Sequence, residues 1–145
     1  MKLNFLPLLL VFFGVVSAAG VNSAEVFMVK GEIAFKEQGT IYVTLVTEEQ
    51  FAAGVPGLGQ VLEVGPAETE AGKVAFAFEK ISPGVYAVKS FQDVNGNGEL
   101  DSGALGPKEP WGMYRDARPT FRAPKFEEVK FEVNRNLDDI RIILK

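Results

Sequence analysis

The stretch KVAFAFEKISPGVYAVKSFQ, from Lys73 to Gln92, gives the clearest indication of the fold. In its first part, apolar side chains alternate with small or charged ones, which is the period of a strand with one buried face. The inward set is Val74, Phe76 and Phe78. Ser82-Pro83-Gly84 supplies a turn, and the β-prone run from Val85 to Gln92 predicts a second strand. The stretch therefore predicts a pair of antiparallel strands.

Similar β-prone segments occur on both sides of this pair, separated by turn signals. They are Glu25–Phe35, Thr40–Val46, Gln60–Val64, Phe126–Val133 and Leu137–Lys145. A capping-box sequence at Thr47–Gln50 predicts a single helical turn through Ala53. We therefore expect an all-β domain, an antiparallel Greek-key β-sandwich of about seven strands, with one long ordered loop from Asp93 to Lys125.

The first 24 residues have the pattern of a secretory signal peptide. Lys2 precedes an apolar run from Phe5 to Val16, and small residues follow. The run is shorter than the roughly 20 residues that a membrane span needs. We expect cleavage after Ala18, Ala19 or Ala24, a mature domain over residues 25–145, no stable membrane anchor, and a periplasmic or extracellular location.

Composition excludes several classes of function. The chain of 145 residues has no His and no Cys, and its net charge is −4. Serine–histidine triads, cysteine nucleophiles and ordinary zinc sites are therefore excluded. A net negative charge makes nucleic acid an unsuitable partner. Enzyme chemistry, if any, would have to depend on carboxylates, Lys, Tyr or a hard metal ion.

The long loop opens with DVNGNGELD, from Asp93 to Asp101. Oxygen-bearing side chains at alternate positions around a glycine are typical of calcium loops. The expected ligands are the side chains of Asp93, Asn95, Asn97 and Asp101 together with the main-chain carbonyl of Glu99. Ala104 replaces the glutamate that would complete an EF-hand, so Glu109 and Asp116 are candidates for the missing ligand. The alternative is a metal-free turn in which Asp and Asn cap their own backbone.

The rest of the loop is rich in aromatic and basic residues. Five apolar side chains are expected to anchor it to the sandwich: Leu105, Trp111, Met113, Tyr114 and Phe121. Three arginines, Arg115, Arg118 and Arg122, are expected to pair with local carboxylates rather than with an anionic ligand; these are Glu109, Asp116, Glu127 and Glu128. Trp111 is expected to be a core side chain rather than a platform for a sugar.

Four motifs resemble known modules. Ile81-Ser-Pro-Gly-Val-Tyr86 resembles the tyrosine corner of transthyretin-like (prealbumin-like) and collagen-adhesin B-type sandwiches, in which a Tyr hydroxyl bonds loop backbone. Together with DVNGNGELD, LGPKEPWGM (Leu105–Met113) and APKFEEVKF (Ala123–Phe131), it resembles the secreted bacterial family catalogued as domain of unknown function 2141. The resemblance implies export and a β-sandwich fold, and it implies no activity.

The function that we expect is that of an exported, non-enzymatic binding or structural module with a calcium-stabilised loop. Its partner would be a protein or glycan of the cell envelope. One alternative is an enzyme acting on envelope or extracellular carbohydrate, with Asp93, Asp101 and Glu109 as carboxylates, since glycosidases need only two. A third option is a carrier of a small apolar ligand, which needs an internal pocket of several hundred Å³.

Overall fold

The computed structural model describes residues 23–145, so nearly all of the expected signal peptide, residues 1–24, lies outside the described residues. Ten strands and three short helices follow in chain order. The strands are β1 (Phe27–Ala34), β2 (Gly39–Val46), β3 (Leu58–Val64), β4 (Lys73–Ile81), β5 (Gly84–Asp93), β6 (Ser102–Gly103), β7 (Gly106–Pro107), β8 (Trp111–Met113), β9 (Phe131–Val133) and β10 (Leu137–Ile143). The helices are α1 (Glu48–Ala53), α2 (Pro66–Ala71) and α3 (Phe126–Val129).

Two sheets form the sandwich. The three-stranded sheet has the order β10-β1-β4, and the five-stranded sheet has the order β3-β2-β5-β8, with β9 pairing on another part of β5. The expected all-β sandwich is confirmed, and each of the seven predicted segments contains a strand. One pair of strands departs from the predicted antiparallel arrangement: β1 and β10 run parallel. Gly31 allows this pairing, since a Cβ there would lie 1.9 Å from the Ile140 carbonyl oxygen.

The core lies between the two sheets. The apolar residues predicted to face inward on β4, Phe76 and Phe78, are both 3% exposed. The core residues packed with them come from both sheets and include Val29, Ile33, Ile41, Val43, Val88, Phe131, Ile140 and Ile142. This alternation buries apolar surface on one face of each strand, which is the main driving force for the fold.

A second apolar cluster covers one end of the outer face of the five-stranded sheet. Val46 and Ala87 point away from the main core and pack against Phe126 and Val129 of α3. Residues 126–129 were predicted as the start of a strand, and that part of the prediction is wrong. Because Phe126 and Val129 are three residues apart, a helical turn brings both to the same buried side.

The two long sides of the sandwich are closed differently. At one side, Trp111 at the start of β8 exchanges two backbone hydrogen bonds of 3.2 Å with Lys145, which links the two sheets. At the other side, β3 and β4 are the outermost strands of their sheets. The side-chain oxygen of Gln60 on β3 accepts a hydrogen bond of 3.2 Å from the Ala77 N–H of β4.

The turn between β4 and β5 contains the expected tyrosine corner. The Tyr86 hydroxyl donates a hydrogen bond of 3.0 Å to the carbonyl oxygen of Ser82. Glycine suits position 84, because a Cβ there would crowd the Tyr86 ring at 3.1 Å. Tyr86 therefore fixes the path of the chain into β5, the strand that ends at the long loop.

Candidate functional site

Asp93, the last residue of β5, organises the start of the long loop. It is 3% exposed, and its carboxylate turns back into the loop. Oδ1 accepts hydrogen bonds from the N–H groups of Gly96 (2.7 Å) and Asn97 (3.2 Å), and Oδ2 accepts one from Gly98 (2.7 Å). Gly96 and Gly98 both have φ of 78°, a left-handed conformation that favours glycine. The spacing of the motif thus curls the backbone around one carboxylate.

Asp101 lies across the loop from Asp93 and is held by amide groups. The side-chain Nδ2 groups of Asn95 and Asn97 donate to its two carboxylate oxygens, the second bond being 3.1 Å long. The two Asn side-chain oxygens accept N–H bonds two residues ahead, from Asn97 and Glu99. These are the self-capping contacts that a metal-free turn makes.

Glu109 joins the two ends of the same loop. It is 8% exposed, and it accepts hydrogen bonds from the N–H of Val94 at 2.9 Å and of Asp101 at 3.1 Å. The next residue, Pro110, accepts a bond of 2.8 Å from the Gln92 N–H, which returns the chain to β5. The structure therefore brings Glu109, one of the two extra ligands predicted from sequence, to the loop.

Asp116, the other predicted extra ligand, lies elsewhere and has other partners. Its carboxylate pairs with Arg118 at 2.6 Å and with Lys145 at 2.9 Å. Although partial burial acts in the opposite direction, the hydrogen bonds from Lys145 and Arg118 lower the pKa of Asp116. Asp116 therefore does not contribute to the loop, and that part of the prediction is wrong.

Three carboxylates thus accept hydrogen bonds from the loop: Asp93, Asp101 and Glu109. None of the ion pairs within residues 23–145 involves any of them. Two of the three are almost fully buried, and backbone N–H groups are their main stabilising partners. Such donors satisfy the hydrogen-bonding capacity of the carboxylate oxygens, but they carry no positive charge.

The donor set fits a hard cation only in part. Within the described residues, no group of three or more His, Cys, Asp or Glu side chains is arranged to hold a metal ion. The predicted set is mixed, however, with carboxylates, Asn amides and one backbone carbonyl, which are the oxygens that Ca²⁺ accepts. For a cation to bind Asp101, the Nδ2 groups of Asn95 and Asn97 must leave its carboxylate. The metal ligands therefore stay a prediction.

The arginines of the long loop mostly pair with carboxylates, as expected. Arg122 forms two bonds of 2.7 Å with Glu128, and Arg118 bonds Asp116. The Arg122 guanidinium is the main reason why the pKa of Glu128 is lowered to about 2. Two of the named carboxylates differ from expectation, because Glu109 bonds only loop backbone and Glu127 pairs with Lys130.

The prediction of which apolar side chains anchor the loop is correct in part. Tyr114 packs against the main core, and Met113 packs against the second cluster. Leu105 and Phe121 do not anchor anything, because they are 105% and 99% exposed. Leu105 sits in the turn between β6 and β7, where the short hairpin turns its side chain toward solvent.

Trp111 belongs to an aromatic row on the outer face of the five-stranded sheet, which the sequence alone did not indicate. Cross-strand pairing aligns Tyr42, Phe91 and Trp111 on adjacent strands. The Tyr42 and Phe91 rings are parallel with centroids 4.9 Å apart, and the Arg118 guanidinium lies 4.5 Å from the Trp111 ring. Ring faces in this row are therefore already in contact with protein groups. The expectation that Trp111 is a core side chain is therefore wrong, because it is half-buried on the outer face of the sheet.

The fold and the loop define a class: an all-β sandwich module with a carboxylate-organised loop at the end of β5. Residues 16–141 match the model of the family described as "Uncharacterized protein conserved in bacteria (DUF2141)". The chain therefore belongs to this bacterial family, as the four sequence motifs predicted. No curated protein and no solved structure matches the chain. Within the described residues, none of the helices has the length and apolar character needed to cross a membrane.

Proposed function

We propose that this chain is an exported, non-enzymatic binding or structural module of the bacterial cell envelope, with a loop at Asp93–Asp101 that is stabilised by Ca²⁺. The observation that supports it best is the pair of buried carboxylates, Asp93 and Glu109, which approach the loop from its two ends. Neither has a cationic partner within residues 23–145, and buried charge without a counter-charge is costly. A bound cation would offset that cost.

The contacts of the carboxylates favour a structural role over catalysis. Asp93 accepts three backbone bonds and Glu109 accepts two, so their oxygens hold the loop rather than face an open cleft. A groove of about 650 Å³ lies instead on the three-stranded sheet, and the carboxylates in its lining are Glu32, Asp138 and Asp139 rather than those of the loop. A glycosidase needs two carboxylates facing a substrate cleft. The module is therefore proposed to bind a component of the cell envelope, protein or glycan, rather than to cleave one.

The proposed calcium shell combines residues from both ends of the loop. Asp93, Asn95, Asn97, Asp101 and the Glu99 carbonyl supply the short-range ligands. Glu109 supplies the carboxylate that Ala104 lacks at the twelfth position of the motif. Ca²⁺ takes six to eight oxygens in a flexible geometry, whereas Mg²⁺ requires a tight octahedron. The mixed set of Asn and carboxylate oxygens therefore favours Ca²⁺.

The calcium proposal is tested by thermal unfolding of residues 25–145 in EDTA, in 10 mM Ca²⁺ and in 10 mM Mg²⁺. Extracellular modules bind Ca²⁺ with dissociation constants of about 10⁻⁴–10⁻³ M. A ten- to hundredfold excess then stabilises the native state by about 1.4–2.7 kcal/mol. Since a domain of this size gains roughly 3–6 °C per kcal/mol, we expect Ca²⁺ to raise the melting temperature by roughly 4–16 °C.

Two variants serve as matched controls. Asp101→Asn removes one carboxylate and should abolish the calcium response, while its melting temperature in EDTA should change little. Asp138→Asn removes the same charge from β10 and should keep the full response. An equal melting temperature of the wild type in EDTA and in Ca²⁺ would show that the loop is a self-capped turn.

Export is tested separately, by mass spectrometry of the protein recovered from its native host. The signal-peptide pattern predicts a mature N-terminus between Ala19 and Glu25. A chain that begins at Met1 in the membrane fraction would contradict export as a cleaved protein. This result is independent of the calcium titration, so either part of the proposal can fail alone.

A further inference from the structure

Strand β4 has a free edge in the described part of the chain. This strand has nine residues, and within residues 23–145 it has one neighbouring strand, β1. The Ala77 N–H points away from β1, because it donates to the side chain of Gln60. Backbone groups alternate in direction along a regular strand, so Lys73 and Ala75 also present theirs at this edge. The alternation is regular as far as Phe78, because the register with β1 shifts between Phe78 and Ile81. An edge of this kind is able to accept another strand.

The side chains at this edge form a self-complementary pattern. Lys73, Ala75, Ala77 and Glu79 are all exposed and share the outer face of the sheet. If two β4 strands pair in antiparallel fashion about Phe76, Lys73 of one copy lies opposite Glu79 of the other. On the outer face, Ala75 then lies opposite Ala77, so only small side chains lie between the two charged pairs on that face. Opposite charges at directly paired positions stabilise such a pair.

We infer that a second copy of this chain pairs with the β4 edge, which joins two three-stranded sheets into one continuous sheet across a two-fold axis. Gln60, which now bonds Ala77, turns away when the partner strand arrives. Because both copies use the same edge, the contact closes and forms a dimer rather than a filament. This inference concerns assembly and does not depend on the calcium proposal.

The other free edge, β3, is less suited to self-pairing. Antiparallel pairing about Val61 would place Glu63 of one copy opposite Gly59 of the other, with no compensating charge. Each edge has one charged side chain with a partner in its own chain: Glu63 accepts a hydrogen bond of 3.2 Å from Thr40, and Lys73 forms an ion pair of 2.9 Å with Glu32. In a β4 dimer, Lys73 would therefore lie between Glu32 of its own chain and Glu79 of the other copy. The charge pattern therefore selects β4 over β3.

A contact formed by one edge strand is small. Interfaces below about 1,200 Å² are generally weak and transient. We therefore expect a concentration-dependent monomer–dimer equilibrium, with dissociation constants in the micromolar range or weaker. Because two Lys–Glu pairs contribute, the dimer should also weaken as salt is added.

The test is analytical ultracentrifugation of residues 25–145 over a wide concentration range, at low and at high salt. Lys73→Glu and Glu79→Lys should each weaken dimerisation at least tenfold, because like charges then face each other. The double variant restores opposite charges and should recover association. Lys30→Glu makes the same charge change on the same face but on the central strand β1, and it should leave the equilibrium unchanged.

Ala75→Pro tests the backbone bonds directly. Proline removes an N–H that points to the free edge. An edge strand tolerates proline at such a position, because no bond within the sheet is lost. This variant should be monomeric while its circular dichroism spectrum stays that of the wild type. The inference is overturned by a wild type that stays monomeric at every concentration, by undiminished dimerisation of Ala75→Pro, by failure of the double variant to recover, or by growth into larger oligomers.

Discussion

Replacing Asp93 by Asn should destabilise the folded domain even without metal. The wild-type carboxylate accepts three backbone N–H bonds, from Gly96, Asn97 and Gly98. An Asn side chain has one acceptor oxygen and an NH₂ group, so it must direct a donor at an N–H that is itself a donor. Because Asp93 is 3% exposed, its side chain has little freedom to turn away.

The size of the effect follows from these bonds. Hydrogen bonds to a charged group contribute about 1.5–3 kcal/mol each. Residues 94–99 are exposed, so water replaces part of the lost bonding and the three contributions do not add in full. We expect Asp93→Asn to lower the free energy of unfolding by about 2–4 kcal/mol, which is roughly 6–24 °C in melting temperature.

The assay is urea unfolding in EDTA, followed by circular dichroism, for Asp93→Asn and for the matched variant Asp101→Asn. Asp101 accepts its side-chain bonds from exposed Asn residues that can turn to water, so its loss should be within about 1 kcal/mol. If Asp93→Asn also loses less than about 1 kcal/mol, the backbone bonds of Asp93 do not hold the loop, and the reasoning is refuted.

Three further predictions concern the sandwich and its surface. Phe78→Ala removes a side chain that is 3% exposed and should cost about 3–5 kcal/mol in urea unfolding; a loss below about 1 kcal/mol would contradict its place in the core. Tyr86→Phe removes the bond to Ser82 and should cost about 1 kcal/mol, and an unchanged stability would contradict the tyrosine corner. Arg122 holds the pKa of Glu128 at about 2, below its ordinary 4.5; the associated stability is full above pH 4.5 and is lost as the pH falls toward 2. Arg122→Gln should raise that pKa in an NMR titration, and an unchanged value would contradict the pairing.

Local sequence patterns predicted the strands well, because each buries one face. The alternation in residues 73–81 correctly predicted which side chains face the core, and the capping box at Thr47 correctly predicted helix α1. The same reasoning failed at Phe126–Val129, which is helical. In a segment of four residues, the apolar pattern fits a strand and a helical turn equally well. Helix α2 was missed, although Pro66 at its first turn and Gly72 after its end are typical helix boundaries.

Features that depend on distant residues were harder to predict. The parallel pairing of β1 and β10 joins residues more than a hundred positions apart, and no local pattern encodes it. The aromatic row depends on strand register, because Tyr42, Phe91 and Trp111 come from three strands. Leu105 and Phe121 were predicted as anchors from their apolar character alone, which does not tell whether a loop folds inward. Glu109 was predicted to lie at the loop because the motif lacked a twelfth-position ligand and Glu109 is a carboxylate nearby in the sequence.

The most direct measurement of the calcium claim is an NMR titration of the ¹⁵N-labelled domain. The amide signals of Gly96, Asn97 and Gly98 report on the loop backbone, because their N–H groups bond Asp93. The account predicts that these signals, with those of Val94 and Asp101, move and saturate over millimolar Ca²⁺ and respond far less to Mg²⁺. If they stay in place at 10 mM Ca²⁺, or if Asp101→Asn shows the same saturable change, Ca²⁺ does not bind this loop as proposed.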